Sequence, residues 1–400
     1  MVVYMQNNRF TKYVSMWGNA ISIADRKPEN YAKDLTLRYP IKPMLSGDRL
    51  KLTFDNFCGT EPVTISSVYV ADMASESNTP EGAFKGTQIV DNSTKAVTFC
   101  GKTSVTIHAG EAVVSDEIEY AVTRGKDICV SMYFGDFTLM RSAVLITGPL
   151  SKGFYAVGDY AAGKDLPLDY TRNTSWFYFL SNIEVRTEEN ARAVVCFGDS
   201  ITSQAWPDYL TLRVEKNADN KTAIVRRAAS GTRILRQYDN ITYDSYGLKG
   251  SIRFPREALV SGADTVIIQQ GINDIIHPVG VEVNPFRPWS DLPTAEEMIE
   301  GYRMYIEKAR EYGLKVYMGT LLPIYGWRTY EPFRDDLRNA LNDWMRTTKE
   351  IDGVIDFDKA LQDPEKPDYF LPEYDSGDHL HPSKLGYERM AAEIPAEILK

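Results

Sequence analysis

The chain has 400 residues, of which 43% are hydrophobic and 25% are charged. This length exceeds what one hydrophobic core usually serves, so two domains are expected. The formal net charge of -10 argues against a surface for nucleic acid or for an anionic membrane, since either favours a basic patch.

The first residues, MVVYMQNNRFTKYVSMWG, do not read as a signal peptide. They lack its basic start, its sustained apolar core and its small-residue cleavage site, and no later run is apolar for about 18 residues. We therefore expect a cytoplasmic protein, or a secreted one if a leader has been removed. The cysteines are far apart and form no C-x-x-C pair, which predicts buried free thiols rather than zinc ligands or disulfides: Cys58, Cys100, Cys129 and Cys196.

The stretch from about Leu50 to Ile146 has the two-residue period of β-strands. Apolar and polar residues alternate in LKLTFDNF, VTISSVYV, SVTIHAG and ICVSMYF. Turn-rich pieces such as NTPEGAFKG and TRGKD separate these runs, at a spacing that is typical of a β-sandwich. The first half is therefore predicted to be all-β.

Beyond the charged stretch RTEENAR the order becomes strand, loop, helix. The candidate strands are Ala193–Phe197, Thr222–Arg226, Asp264–Gln269, Lys315–Leu321 and Gly353–Phe357. Alternating strands and helices predict a parallel sheet with helices on both faces. We place the domain boundary near residue 188, with a β-sandwich accessory domain at 1–188 and an α/β catalytic domain at 189–400.

Two helices are well signalled. Thr294 and Glu297 form a capping box ahead of an apolar stripe. A last helix would place apolar residues on one face up to the end of the chain: Tyr387, Met390, Ala391, Ile394 and Ile398.

Polar residues follow three of the predicted strands and precede the last helix. In an open parallel sheet, residues just past the carboxyl ends of the strands form the functional edge. The four segments are Gly198-Asp199-Ser200, Ser230-Gly231-Thr232-Arg233, Gly271-Ile272-Asn273-Asp274 and the loop with Asp378, His379 and His381.

Acyl transfer needs a nucleophile, a base, an acid that orients the base, and donors for the developing oxyanion. Ser200 fits the nucleophile, His381 the general base and Asp378 the orienting acid. The N–H groups of Ser200 and Gly231, with the Asn273 amide, would form the oxyanion hole. This chemistry requires no metal and no organic cofactor.

The turn before the serine suits this role. We expect Gly198 to supply unusual backbone angles, and Ser200 to lie near a helix N-terminus, where the helix dipole favours developing negative charge.

Each segment also has a simpler interpretation. Gly-Asp-Ser after a strand is commonly a turn or a helix cap, and the other three could be ordinary loops or caps. A metal site is a further alternative, because Asp375, Asp378, His379 and His381 offer oxygen and nitrogen ligands. His277 would be structural or part of the pocket wall, and His108 lies in the β half. The ordered occurrence of all four segments favours the catalytic interpretation.

In this order, the motifs FGDSIT, SGTR, GIND and DHLHPS resemble the SGNH hydrolases, also called the GDSL esterase/lipase family. The resemblance implies a three-layer α/β/α flavodoxin-like domain and the same roles for Ser200, Gly231, Asn273, Asp378 and His381. The segments RFPREAL, QGINDIIHP, DFDKALQDP and YDSGDHLHPSKLGYERMA resemble a subgroup of bacterial xylan-associated arylesterases and acylhydrolases. Members of that subgroup often carry a leading β-sandwich, here expected to be jelly-roll-like.

The chain departs from the family pattern at two places. Arg226 and Ala228 occupy positions where the glycine block usually has Asn and Gly. Ser203 and Gln204 stand where the nucleophile block more often continues with Asp and Gly. The Gly231 N–H can still serve as a donor, and we expect the loop and the pocket mouth to differ from those of the family.

The substrate is predicted less sharply than the chemistry. The subgroup resemblance implies short, often acetyl, esters of plant polysaccharides, as small molecules or oligosaccharides. Alternatives are a lysophospholipase or thioesterase for longer acyl chains, and a glycan-binding protein with an inactive hydrolase domain. Candidate substrate-binding residues are Trp206, Arg233, Tyr325 and Trp327. Tyr325, Trp327 and Tyr330 follow the fourth strand, and Trp206 and Trp289 lie in neighbouring loops. Alternatively, these aromatic residues are core or loop anchors.

Overall fold

A computed structural model describes residues 9–23, 31–74, 82–237 and 246–400 of the chain. In these ranges, antiparallel strands make up the first half and a parallel sheet with helices the second. The strands of the first half are β1 (Lys12–Gly18), β2 (Ser22–Ile23), β3 (Tyr31–Ala32), β4 (Leu35–Ile41), β5 (Gly47–Asp55), β6 (Val63–Ile65), β7 (Ser67–Asp72), β8 (Lys95–Val97), β9 (Val105–Ile107), β10 (Ala112–Val114), β11 (Ile118–Val122), β12 (Ile128–Phe134), β13 (Thr138–Leu139), β14 (Ser142–Leu145), β15 (Gly153–Val157), β16 (Thr171–Thr174), β17 (Trp176–Tyr178) and β18 (Leu180–Thr187).

Two larger antiparallel sheets form the N-terminal domain. One contains β1, β18, β5 and β10 in that order, with β11 also paired to β5, and the other contains β16, β15, β4, β12, β7 and β8. The alternation in β5 buries Leu50, Leu52 and Phe54, and these pack in one cluster with Val130 and Met132 of β12. The all-β expectation for this half is confirmed.

Strands before Leu50 were missed by the sequence interpretation. β1 pairs with β18 at the edge of one sheet, and β4 lies inside the other sheet, between β15 and β12. Their partners are far away in the chain. β1 shows no clean polar and apolar alternation, whereas β4 does alternate, so a signal for β4 was available in the sequence.

The second half contains a parallel sheet of five strands, β19 (Arg192–Gly198), β20 (Thr222–Ala228), β21 (Ala263–Gln269), β22 (Lys315–Gly319) and β23 (Gly353–Ile355). Their order in the sheet is β20, β19, β21, β22, β23. This is the flavodoxin-like order, in which the second strand lies outside the first. The parallel α/β expectation is confirmed, and each predicted strand lies within a few residues of its observed bounds.

Helices connect these strands, and a small antiparallel pair, β24 (Gln362–Asp363) and β25 (Lys366–Phe370), lies late in the chain. The α-helices are α1 (Ser200–Ser203), α2 (Trp206–Glu215), α3 (Gly250–Glu257), α4 (Ile272–Ile276), α5 (Ala295–Glu311), α6 (Pro332–Thr347), α7 (Phe357–Leu361) and α8 (Lys384–Glu393). The capping box at Thr294 and Glu297 is present at the start of α5. The last helix is shorter than expected, because α8 ends at Glu393 and Ile398 belongs to a separate 3-10 turn after Pro395.

The two halves meet along β1 and the parallel sheet. The Ser15 N–H donates to the Ser261 carbonyl at 2.8 Å, and buried side chains of both halves share one core. The antiparallel strand β18 ends at Thr187, and the parallel strand β19 begins at Arg192. A boundary near residue 188 falls in this connection and stays a proposal.

Two smaller observations bear on the sequence expectations. Cys58, Cys129 and Cys196 are buried free thiols, but Cys100 is exposed in a turn with a φ of 50°, so the expectation of burial is wrong for Cys100. Within the described ranges, no helix has both the length and the apolar character needed to cross a bilayer.

Candidate active site

The nucleophile turn joins the central strand β19 to the short helix α1. Asp199 is the N-cap of α1, and its carboxylate accepts the Ile201 N–H at 3.1 Å. Ser200 is therefore the first residue of the helix, where the dipole and the free N–H groups favour negative charge.

Gly198 has a different role from the one expected. Its φ is not in the left-handed region, but a Cβ there would lie 2.3 Å from the Gln269 carbonyl oxygen and 2.4 Å from Thr202 Oγ1. Glycine is needed at this position for space, because β21 passes close to the turn. The expectation of unusual backbone angles is corrected accordingly.

Ser200, His381 and Asp378 form a continuous hydrogen-bonded chain. Ser200 Oγ lies 2.9 Å from His381 Nε2, and His381 Nδ1 lies 2.7 Å from Asp378 Oδ2. In this arrangement the Nδ1–H donates to the carboxylate and leaves Nε2 free to accept the serine proton. These are the contacts a serine nucleophile needs for activation.

The loop before α8 is wound around the Asp378 carboxylate. Oδ1 accepts the backbone N–H groups of Leu380 and His381 at 3.0 and 2.8 Å, and the Ser376 hydroxyl at 3.1 Å. Partial burial by itself would raise the pKa of Asp378, but the hydrogen bonds from His381 and from the backbone outweigh it and lower the pKa well below its ordinary value. Asp378 therefore remains a carboxylate that can hold the imidazole.

The two other candidate oxyanion donors lie after the strands that flank β19. Gly231 follows β20 with a φ of 76°, and a Cβ there would lie 2.2 Å from the Tyr246 ring. Asn273 lies in the first turn of α4, is buried, and donates through Nδ2 to the Thr232 carbonyl at 3.1 Å. An amide nitrogen has two hydrogens, so one remains for an oxyanion.

A buried arginine that the sequence interpretation missed ties these loops together. Arg253 of α3 donates to the Gly198 carbonyl at 3.1 Å and to Thr232 Oγ1 at 2.9 Å, and it pairs with Glu257 at 2.7 Å. The i,i+4 spacing of Arg253 and Glu257 was the available signal, although such pairs usually lie on a solvated helix face.

Asp274 supports the loop after β20 in a similar way. Its carboxylate accepts the N–H groups of Ile234 and Leu235 at 2.8 and 3.0 Å. Burial raises the pKa of Asp274 to about 6, against these hydrogen bonds.

A second Asp–His pair lies beside the first. His379 Nδ1 is 2.5 Å from Asp375 Oδ2, and His379 has a φ of 64°. The four residues of the alternative metal site thus form two separate pairs. Among the described residues, no three His, Cys, Asp or Glu side chains are grouped as metal ligands would be.

The structure corrects part of the predicted substrate-binding set. Trp206 is completely buried, with its ring 5.8 Å from that of Phe357, and is a core residue rather than part of the cleft rim. Arg233 is also buried and pairs with Asp291 at 3.2 Å, so a surface contact with substrate is not supported.

The aromatic residues after β22 are more accessible. Tyr325 is exposed and stacks on Tyr369, with ring centroids 3.9 Å apart. The ring centroid of Tyr330 lies 4.8 Å from that of Tyr325. Trp327 is partly buried against the core. A Cβ at Gly326 would lie 2.8 Å from the His379 ring, which places this loop against the loop that carries Asp378 and His381.

The structure also places three other residues that the sequence singles out. Trp289 is exposed and packs edge-on against Phe333. His277 is buried and stacks on Tyr246, and burial lowers its pKa well below the ordinary value. His108 is exposed in the N-terminal half.

The solved structures similar to this chain cover about half of it at low identity. A GDSL-like lipase from Bacteroides thetaiotaomicron is 20% identical over 52% of this chain and 87% of its own, with a TM-score of 0.35. An acetyl xylan esterase is 22% identical over 52% and 99%, with a TM-score of 0.37. A variant acetyl xylan esterase from Geobacillus stearothermophilus is 16% identical over 52% and 94%, with a TM-score of 0.39. At such values these likenesses carry no argument about the substrate.

A search of curated proteins finds no match to this chain. The profile of the GDSL-like Lipase/Acylhydrolase family matches residues 196–389, which run from within β19 to within α8. That range contains the serine turn, the glycine loop, Asn273 and the Asp378–His381 pair. Residues 196–389 of this protein form a domain of the GDSL-like lipase/acylhydrolase family.

Proposed function

We propose that this protein is a serine esterase which hydrolyses short-chain esters, with Ser200, His381 and Asp378 as its triad. The observation that carries the proposal is the unbroken chain from Ser200 Oγ through His381 to Asp378, with distances of 2.9 and 2.7 Å. Family membership alone supports acylhydrolase chemistry in general.

In the first step the Ser200 oxygen attacks the ester carbonyl carbon while its proton passes to His381 Nε2. The N–H groups of Ser200 and Gly231 and the Asn273 amide receive the negative charge on the carbonyl oxygen. As the intermediate collapses, the alcohol leaves with the proton from Nε2, and the acyl group stays on Ser200.

In the second step a water molecule gives its proton to His381 Nε2 and attacks the acyl-enzyme. Collapse of the new intermediate returns the proton to Ser200 and releases the carboxylic acid. Asp378 holds the imidazole and stabilises its charged form in both steps.

For the substrate we propose acetyl groups on carbohydrate of plant-polysaccharide origin. The subgroup resemblance of the sequence supports this choice. The stacked rings of Tyr325 and Tyr369 support it too, because they lie in and beside the loop that contacts His379. Aromatic side chains offer large flat apolar faces to a ligand ring and a polar edge to its hydroxyl groups.

The experiment is a chain-length series of p-nitrophenyl esters run beside acetylated xylo- and manno-oligosaccharides. We expect the acetyl ester to be the best of the series and free acetate to be released from the glycans. Preference for long acyl chains without acetate release would instead support a lysophospholipase or thioesterase. Binding of the glycans without any hydrolysis would support the inactive, glycan-binding alternative.

A further inference from the structure

The helix that begins with Ser200 has only four residues and depends on contacts from outside. A helix this short makes too few internal hydrogen bonds to hold its own geometry. Its final carbonyl, that of Ser203, is in a buried residue and has no partner further along the helix. The partners of Ser203 therefore hold the C-terminal end of α1, while Thr202 bonds to Gln269 of β21.

The Ser203 carbonyl is held from the N-terminal domain. It accepts the backbone N–H of Thr147 at 3.2 Å and the guanidinium of Arg226 at 3.2 Å. The same Arg226 nitrogen donates to Ser151 Oγ at 2.9 Å, and Thr147 and Ser151 both lie before the domain connection.

The Arg226 guanidinium is itself fixed in place. It pairs with Asp208 of α2, and both side chains are buried. The second oxygen of Asp208 accepts the Leu150 N–H at 2.8 Å and the Ser151 hydroxyl at 2.9 Å. The loop at residues 147–151 of the N-terminal domain thus donates hydrogen bonds both to the buried carboxylate of Asp208 and to the Ser203 carbonyl at the end of α1.

The Ser203 hydroxyl connects this anchor to the reacting groups. It donates to the Ser200 carbonyl at 3.2 Å, and Ser203 Oγ lies 3.1 Å from Ser230 Oγ. A hydroxyl group has one hydrogen, so when Ser203 donates to the Ser200 carbonyl it accepts from Ser230 in the second contact. Ser230 directly precedes Gly231, the candidate oxyanion donor.

We propose that Ser203 and Arg226 are positioning residues through which the N-terminal domain sets Ser200 and the glycine loop in their relative places. They stand at the two places where the sequence departs from the family pattern, and they contact each other. The inference rests on the proposed esterase function. In this arrangement the N-terminal domain contributes to catalysis by positioning Ser200 and the glycine loop, and it need not contact the substrate.

Arg227 provides a matched control for Arg226. It is the next residue of β20, is equally buried, and also binds the N-terminal domain, donating to the Ser181 carbonyl at 2.6 Å and to Asn182 Oδ1 at 2.8 Å. No described contact links its side chain to α1. Lysine at either position keeps the charge but cannot reproduce the guanidinium contacts.

The test compares Arg226→Lys and Arg227→Lys by two rates, turnover of p-nitrophenyl acetate and phosphonylation of Ser200 by a fluorophosphonate. For Arg226→Lys we expect both kcat and the phosphonylation rate to fall by about tenfold or more with KM little changed, because displacement of a reacting group is costly. For Arg227→Lys we expect both rates to stay within about threefold of wild type even where the melting temperature falls equally, since no catalytic geometry changes. Equal phosphonylation of both variants would overturn the inference.

A second pair of variants applies even if Arg226→Lys does not fold. Ser203→Ala keeps the Arg226–Asp208 pair and places a good helix former in α1. We expect it to lower kcat, and the double variant with Ser230→Ala to cost less than the sum of the two single changes. A Ser203→Ala variant with the wild-type kcat would overturn this inference and leave the proposed esterase function standing. A wild-type protein that neither hydrolyses the ester nor reacts with the phosphonate would overturn the proposed function as well.

Discussion

Asp378 holds His381 at two points, through the ring and through the backbone. Oδ2 lies 2.7 Å from Nδ1 of the imidazole, and Oδ1 accepts the N–H of the same residue at 2.8 Å. The carboxylate therefore fixes the tautomer of the ring and also the turn that carries it. The three-residue spacing of the two residues makes this double contact possible.

Replacing Asp378 with Asn should reduce kcat by about 10²- to 10⁴-fold, since an amide can favour the wrong imidazole tautomer and does not stabilise the imidazolium. Asp375→Asn is the matched control, because Asp375 binds His379 in the same way but that histidine is not bonded to Ser200. The measurement is kcat for p-nitrophenyl acetate. Equal losses in the two variants would contradict the assignment of Asp378 as the triad acid.

Asn273→Ala should lower kcat by about 10²- to 10³-fold with little change in KM, because an oxyanion donor acts mainly in the transition state. Asn56→Ala is the control. Asn56 is also buried and bonded to backbone carbonyls, at 2.9 and 3.2 Å, but it lies in the N-terminal domain. If the folded fraction of both variants keeps the wild-type kcat, Asn273 is not an oxyanion donor.

Much of the C-terminal half was predictable because its signals are local. Buried parallel strands appear as short apolar runs, and the residues that follow them reach one edge of the sheet by geometry alone. Ser200, Asp378 and His381 could be chosen in this way, and the structure brings them into hydrogen-bond contact.

The errors concern features that depend on distant partners. Nothing near Trp206 in the chain indicates that its ring packs on Phe357, and nothing near Arg226 indicates a buried bond to Ser151. The expectation of unusual backbone angles at Gly198 is wrong, because glycine is needed there for the close approach of Gln269 from a different strand. Such contacts form only when the sheets assemble.

Titration of the Asp199 carboxyl group should make the stability of the fold depend on pH. Burial raises the pKa of Asp199 from its ordinary value of 3.8 to about 7. A carboxyl group with a raised pKa favours folding below its unfolded pKa, and this contribution is lost as the pH rises through the folded value. The contribution of Asp199 to the free energy of unfolding should therefore decrease as the pH rises from about 4 to about 7, by an amount on the order of a few kcal/mol.

Asp199→Asn removes that titration and keeps a residue that can cap α1. We expect the melting temperature of the variant to rise relative to wild type as the pH increases from 4 to 8. Asp274, whose pKa is raised to about 6, titrates in both proteins, and its charge is one of the causes of the raised pKa of Asp199. Asp378, whose pKa is lowered, loses its stabilising contribution only below this range. A difference in melting temperature between the variant and the wild type that stays constant from pH 4 to pH 8 would contradict a buried Asp199 that titrates in this range.

The role of Ser200 as nucleophile is tested most directly by hydrolysis of p-nitrophenyl acetate by Ser200→Ala beside the wild type, with both folds checked by their melting temperatures. We expect the wild type to turn over the ester and to be phosphonylated at Ser200. We expect the variant to keep its fold but to lose kcat by about 10⁴-fold or more, to the level that binding and the oxyanion donors alone can supply. A folded Ser200→Ala protein that still hydrolyses the ester at a rate near that of wild type would show that Ser200 is not the nucleophile.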